Sequence, residues 1–188
     1  MAFDEAALTE QSDGELIARA RQGDQHAFGE LVRRYWEGVA GLVYRMYGDL
    51  FLAEDAAQTA FLRGWQRLDT YQPRYPFRNW IYSIALHSAI DQLRRNREAL
   101  PLENAPLRAS EPGPEQSLEA SERANAVQQA ILDLSPASRA VIVLREYENM
   151  SYAEISDVLN IPLGTVMSRL SYARNQLRQK LVVDERVR

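Results

Sequence analysis

The stretch SYAEISDVLNIPLGTVMSRLSYARNQLRQKL, residues 151–181, admits few folds. It holds two segments of helical apolar spacing joined by Asn-Ile-Pro-Leu-Gly. Ser151 and Glu154 have the spacing of a capping box, which satisfies orphan N–H groups at a helix start. Tyr152, Ile155, Val158 and Leu159 then repeat at helical intervals. Asn160 suits the left-handed position that ends a helix, and Pro162 the first position of the next. In the second segment Val166, Leu170, Ala173, Leu177 and Leu181 form one apolar stripe. At about 3.6 residues per turn, Gly164, Ser168, Ser171, Tyr172 and Asn175 lie opposite that stripe, flanked by Thr165, Arg169, Arg174 and Arg178. Two short helices, a tight turn and a polar outer face with basic flanks describe a helix-turn-helix whose second helix can enter a major groove. A plain helical hairpin with a solvated basic face has the same periodicity. The small residues on the outer face favour nucleic acid, because a reading helix must approach the groove closely.

The whole chain narrows the classes further. Its 188 residues suffice for one domain or two small ones. A hydrophobic fraction of 46% with 26% charged residues is ordinary for a globular chain, and a net charge of −4 argues against a polyelectrolyte coater of DNA. No apolar run reaches the roughly 18 residues of a membrane span, so direct membrane insertion is not expected. The N-terminal MAFDEAALTEQSDGE is acidic and has no apolar core, unlike a signal peptide, so a cytoplasmic location is expected. Without cysteine, and with His26 and His87 as the only histidines, no thiolate or zinc site is expected. There is no nucleotide-binding glycine loop, metal-ligand cluster or nucleophile–base pattern, so no cofactor, metal or catalytic residue is expected.

Along the chain the reading is all-α, with two small helical domains joined by an extended linker. The first, residues 12–97, opens on a second capping box, Ser12 with Glu15, and Gly23 suits a helix end. A long helix is expected from about Gln25 to Tyr47, with Phe28, Leu31, Val32, Tyr35, Val39, Leu42, Val43 and Met46 inward, broken by Gly48 and Asp49. Further helices are expected over Leu52–Leu68 and, after the loop TYQPRYPFRN, over Phe77–Arg97. This last helix is apolar on most sides and ends in Arg94, Arg95 and Arg97. Residues 98–118 carry Pro101, Pro106, Pro112, Gly113 and Pro114, with Glu98, Glu103, Glu111 and Glu115 against Arg108. They read as an acidic linker, and about 20 extended residues reach roughly 70 Å. The second domain, residues 119–182, adds a helix to Leu132 and one starting at Ser135-Pro136 ahead of the helix-turn-helix.

Four segments in this order carry a resemblance. AFGELVRRYWEGVAGLVYRMYGD, AEDAAQTAFLRGWQRLDTY, FRNWIYSIALHSAIDQLRR and LSPASRAVIVLREYENMSYAEISDVLNIPLGTVMSRLSYARNQLR resemble the successive segments of an extracytoplasmic-function (ECF) sigma factor, the compact two-domain class of bacterial transcription initiation factor. The last motif alone is shared with response-regulator DNA-binding domains; the four together are specific.

The resemblance implies roles for individual residues. Asp55, Gln58, Phe61 and Leu62, spaced three or four apart, correspond to the face that docks on the β′ clamp helices of core RNA polymerase. Arg74, Tyr75, Arg78 and Asn79 in the loop, and His87, Asp91, Arg94 and Arg95 on the following helix, correspond to the reader of the promoter −10 element. An extruded base in such a site is read by stacking and edge hydrogen bonds. Trp80 is assigned to the core, and His87 stands where the family often has asparagine. Tyr152, Thr165, Met167, Ser168, Arg169, Ser171, Tyr172, Arg174 and Arg178 correspond to the −35 reader. Met167 and Tyr172 replace frequently basic residues, which reduces the bidentate guanine readout that arginine offers. Implied partners are core polymerase, through the clamp helices and the β flap, promoter DNA, and an anti-sigma factor able to hold the chain at the membrane. A LuxR-type or response-regulator factor is the alternative; it requires a receiver or ligand domain with strands, and no strand pattern is visible.

Overall fold

A computed structural model describes residues 8–99 and 118–187, with side chains over residues 8–96 and 123–181. The helices are α1 (Asp13–Ala20), α2 (Gln25–Tyr47), α3 (Leu50–Gln66), a single 3-10 turn (Leu68–Thr70), α4 (Phe77–Ala99), α5 (Leu118–Leu132), α6 (Pro136–Glu146), α7 (Tyr152–Leu159) and α8 (Leu163–Val187). No strand occurs among the described residues. Most of the expected linker, residues 100–117, lies outside them.

Local chemistry sets the boundaries. Both capping boxes form: the Ser12 and Ser151 hydroxyls accept from the Glu15 and Glu154 N–H groups, and each carboxylate returns to its serine N–H. Asp24 caps α2 by accepting from the His26 and Ala27 N–H groups. Gly48, with φ of 71°, ends α2 in the left-handed region where a side chain is strained. Asp49 accepts from the Leu52 N–H, so α3 starts at Leu50, two residues earlier than the apolar spacing suggested.

Helices α1–α4 bury Leu16, Leu31, Leu42, Met46, Phe77, Ile81 and Leu86, and α5–α8 bury Ile131, Ile142, Leu144, Ile155, Val166 and Leu170. These residues belong to one continuous core. Helix α4 is central, packing on α2 and α3 on one side and on α6 and α7 on the other. That placement explains a helix apolar on most sides, its exposed polar residues gathering on the remaining face and toward its C-terminal end.

A charged cluster ties the N-terminal segment down. Glu30 is buried beneath Arg33 (Nε to Oε2 2.7 Å, Nη2 to Oε1 2.8 Å) and Arg34 (Nε to Oε1 2.8 Å). Arg34 also bonds Asp13 at 2.9 Å and donates to the Leu8, Thr9 and Gln11 carbonyls. Hydrogen bonds from Arg33, then from Arg34, hold the Glu30 carboxyl down at about 2, against an ordinary 4.5. A depressed carboxyl pKa contributes stability that is complete above the unfolded value and fades as pH falls through the folded one. Glu30→Gln is therefore expected to lower the melting temperature near neutral pH and to flatten its decline between about pH 4.5 and pH 2. Circular-dichroism melts of both proteins across this range check it; parallel acid limbs would contradict it.

Candidate nucleic-acid interface

The helix-turn-helix is built as its sequence suggests. Asn160 takes the left-handed conformation (φ 49°), and its N–H and that of Ile161 close the end of α7. The Ser156 hydroxyl donates to the Ile161 carbonyl at 2.6 Å, fixing the turn. The Val166 N–H bonds the Pro162 carbonyl, so Pro162 stands immediately before the first turn of α8.

Val166, Leu170 and Ala173 of α8 face the core, whereas Met167, Ser168, Ser171, Tyr172, Arg174 and Arg178 are exposed, Tyr172 at 57%. Thr165, Arg169 and Tyr152 are half-buried at the margin of this surface. A Cβ on Gly164 would meet no atom of the protein, so the glycine leaves room outside the helix rather than inside it. A shallow groove of about 490 Å³ runs past Tyr152, Met167, Ser171, Tyr172, Arg174 and Arg178. One of its cations is already engaged, Arg174 bonding the Glu146 carboxylate at 2.8 Å, and Arg145 lies 5.4 Å from the ring of the groove's Tyr152. Hydrogen bonding to Glu146 raises the pKa of Arg174, which stays charged.

The expected −10 residues divide between two surroundings. His87, Asp91, Arg94 and Arg95 are exposed along α4, and His87 Nδ1 lies 2.7 Å from the Ser83 carbonyl. Arg74 is exposed over the half-buried Tyr75 ring at 4.7 Å, and Arg78 lies 5.9 Å from the Tyr82 ring. The loop is held by the Tyr71 hydroxyl, which donates to the Tyr75 carbonyl at 2.7 Å, and by Arg21, which donates to the Leu68 and Tyr71 carbonyls. Trp80 is half-buried, edge-on to Tyr71 at 5.5 Å. Asn79 departs from the expected exposed reader: it is 4% exposed, its Nδ2 donates to Glu154 Oε1 at 3.4 Å, and its Oδ1 has no partner. It lines a cleft of about 560 Å³ between the loop, with Arg74, Tyr75 and Trp80, and the helix-turn-helix, with Val158 and Ile161.

On α3, Asp55, Gln58 and Leu62 are exposed together. Phe61 does not join them. It is 5% exposed and stacks on Trp36 with centroids 6.0 Å apart, because six residues from Asp55 is about 240° around a helix. The apolar member missed from the sequence is Phe51, 81% exposed and one turn before Asp55 on the same face. The run Leu50-Phe51-Leu52 directly after a helix break was the available signal.

Two helical units, the second with an exposed helix-turn-helix, have the form of a DNA-binding protein. Comparison with known proteins specifies it. Residues 31–99 match Sigma-70 region 2, and residues 124–177 match Sigma-70, region 4. The chain is 35% identical over 176 residues to the ECF RNA polymerase sigma factor SigW of Bacillus subtilis, covering 88% of this chain and 94% of SigW. It is 34% identical over 188 residues to the ECF RNA polymerase sigma-E factor of Escherichia coli, covering 93% and 97%. Its fold matches CnrH, solved in complex with the cytosolic domain of CnrY, with a TM-score of 0.70 and 28% identity over 93% of this chain and 99% of CnrH. The chain belongs to the ECF family of RNA polymerase sigma factors, and its function is promoter-specific transcription initiation with core RNA polymerase. The LuxR-type alternative has no support in these matches.

Proposed function

We propose that the unit of α1–α4, residues 12–97, docks on the β′ clamp helices and reads the −10 element, while residues 119–182 read the −35 element near the β flap. Residues 98–118 tether the two. The observation that carries this is the separation of two exposed faces: Asp55, Gln58, Leu62 and Phe51 on α3, and the polar and basic outer face of α8. The chain contributes promoter choice and assistance in strand opening; transcript synthesis belongs to the polymerase, and no residue here is assigned a catalytic role. No helix among the described residues is long and apolar enough to cross a membrane, which agrees with work in the cytoplasm. CnrH was solved bound to the cytosolic domain of CnrY; for this chain an anti-sigma factor is the proposed regulator.

Within α8 the residues divide by task. Met167, Ser168, Ser171 and Tyr172 lie toward the helix start, the part that meets base edges. Arg178 lies farther on, where it reaches phosphate, and phosphate contacts position without specifying sequence. Holoenzyme is assayed on a −35 library at two salt concentrations. Arg178→Ala is expected to weaken many sequences by similar factors and to reduce the salt slope by roughly one unit. Ser171→Ala and Tyr172→Ala are expected to reorder the preferred bases, by about 1–3 kcal/mol at the touched position. The opposite pattern would reverse the orientation of α8 in the groove.

A further inference from the structure

The first half of α8, residues 163–172, is poor in the side chains that identify a base by hydrogen bonds. Those are arginine or lysine for guanine, asparagine or glutamine for adenine, and a carboxylate for cytosine. The stretch LGTVMSRLSY holds no lysine, amide or carboxylate and a single arginine, Arg169. Arg169 is half-buried and, two residues before Ser171, stands about 200° round the helix from it. The next arginine, Arg174, is bound to Glu146. The Ser168 hydroxyl donates to the Thr165 carbonyl at 3.1 Å, so its proton is used within the helix.

Apolar surface stands where those groups are missing. Leu163, Met167 and Tyr172 are 44%, 49% and 57% exposed. Scattered exposed apolar residues are ordinary, but these three share the half of the helix that enters a groove. Met167 and Tyr172 are separated by about 7.5 Å along the axis and about 140° around it. Ser168 and Ser171 lie between them, so the two apolar side chains border the reading face on either side. Met167 shares its border with the shallow groove that also holds Ser171 and Arg178. The space outside Gly164 lets the helix approach closely. The next amide on this face, Asn175, lies one turn beyond Ser171 and suits adenine, the base that pairs with thymine.

The major groove presents one apolar group, the C5 methyl of thymine. We infer that α8 reads the −35 element through thymine methyl groups, Met167 covering one and Tyr172 another, so that A·T pairs rather than guanines specify the positions these side chains touch. This rests on the proposed −35 role of α8. Thymine and uracil present the same hydrogen-bonding groups and differ only in that methyl. Burying one methyl group favours thymine over uracil by about fourfold in affinity.

The test uses holoenzyme throughout. The wild-type holoenzyme first selects its −35 element from a library, and the selected duplex is remade with deoxyuridine in place of each thymidine of that element. Wild-type holoenzyme is expected to bind the uracil duplex roughly 15-fold more weakly, about fourfold for each of the methyls covered by Met167 and Tyr172. Met167→Ala is expected to keep one of the two penalties, about fourfold. Met167→Ala with Tyr172→Ala is expected to bind the thymine and uracil duplexes equally. Met167→Arg is expected to bring guanine into the selected element. Both side chains are exposed, so these substitutions leave the core intact, which circular dichroism checks.

Equal affinity of the wild type for the two duplexes would overturn the proposal, and this measurement needs no variant. A uracil penalty undiminished in the double variant would also overturn it, because the methyl would then act through the shape of the DNA and not through these side chains. So would a selected element with no thymine on either strand. Randomising the whole −35 element separates the two levels of the argument. Unchanged holoenzyme binding there would defeat the −35 assignment of α8 itself, whereas loss of binding with uracil tolerated would defeat the methyl reading alone.

Discussion

Arg139→Ala is expected to lower the melting temperature by roughly 10 °C or more, through a loss of about 3–5 kcal/mol. The guanidinium is 5% exposed and bonds the carbonyls of Met46, Leu132 and Leu134. Two of these belong to the ends of α2 and α5, where carbonyls have no partner within the helix. Burial lowers the Arg139 pKa to about 10, so the group stays charged at neutral pH. Removing it leaves several buried acceptors unsatisfied at once and opens a void. Arg139→Met fills much of the volume without donors and is expected to recover only a small part of the loss. Arg139→Lys keeps the charge but not the planar fork, and should fall between the two. Equal melting temperatures for the methionine variant and wild type would mean that packing alone holds this junction.

Asp55→Ala with Gln58→Ala should weaken core polymerase binding by roughly 10- to 100-fold, about 1.4–2.8 kcal/mol, with helicity unchanged. Both side chains are exposed, so their loss leaves no cavity. Adding Phe51→Ala should weaken binding further, because its ring is the largest apolar surface on this face of α3. Phe61→Ala should behave differently, lowering stability before it touches binding, since its ring stacks on Trp36 inside the core. Circular dichroism with a core-polymerase titration separates the two. Normal helicity with wild-type affinity in the Asp55/Gln58 variant would remove the docking assignment.

How much was legible in the sequence depended on the range of the interaction. The capping boxes at Ser12 and Ser151, the left-handed Asn160 and the apolar stripe of α8 are local, and they appeared in the structure as their spacing required. The start of α3 moved to Leu50 because Asp49, expected only to break the chain, also caps the next helix. Phe61 was grouped with Asp55 and Gln58 by intervals of three and four, but such intervals drift around the helix when added together. The burial of Asn79 could not be seen at all. Its covering group, Glu154, lies 75 residues away across the linker. A hint was present in α4, whose apolar residues on most sides implied a second packing partner beyond α2 and α3.

The pair formed by Arg174 and Glu146 alters what salt can reveal about promoter binding. A cation that binds a phosphate ordinarily lets one condensed counterion escape from the DNA, which is the origin of the salt slope. Arg174 carries its counterion within the protein. If it turns to a phosphate, Glu146 is left to recruit a cation from solution, and the uptake offsets the release. Ionic-strength titrations will therefore undercount the phosphates this helix engages, and Glu146→Gln should steepen the slope while adding no contact to the DNA.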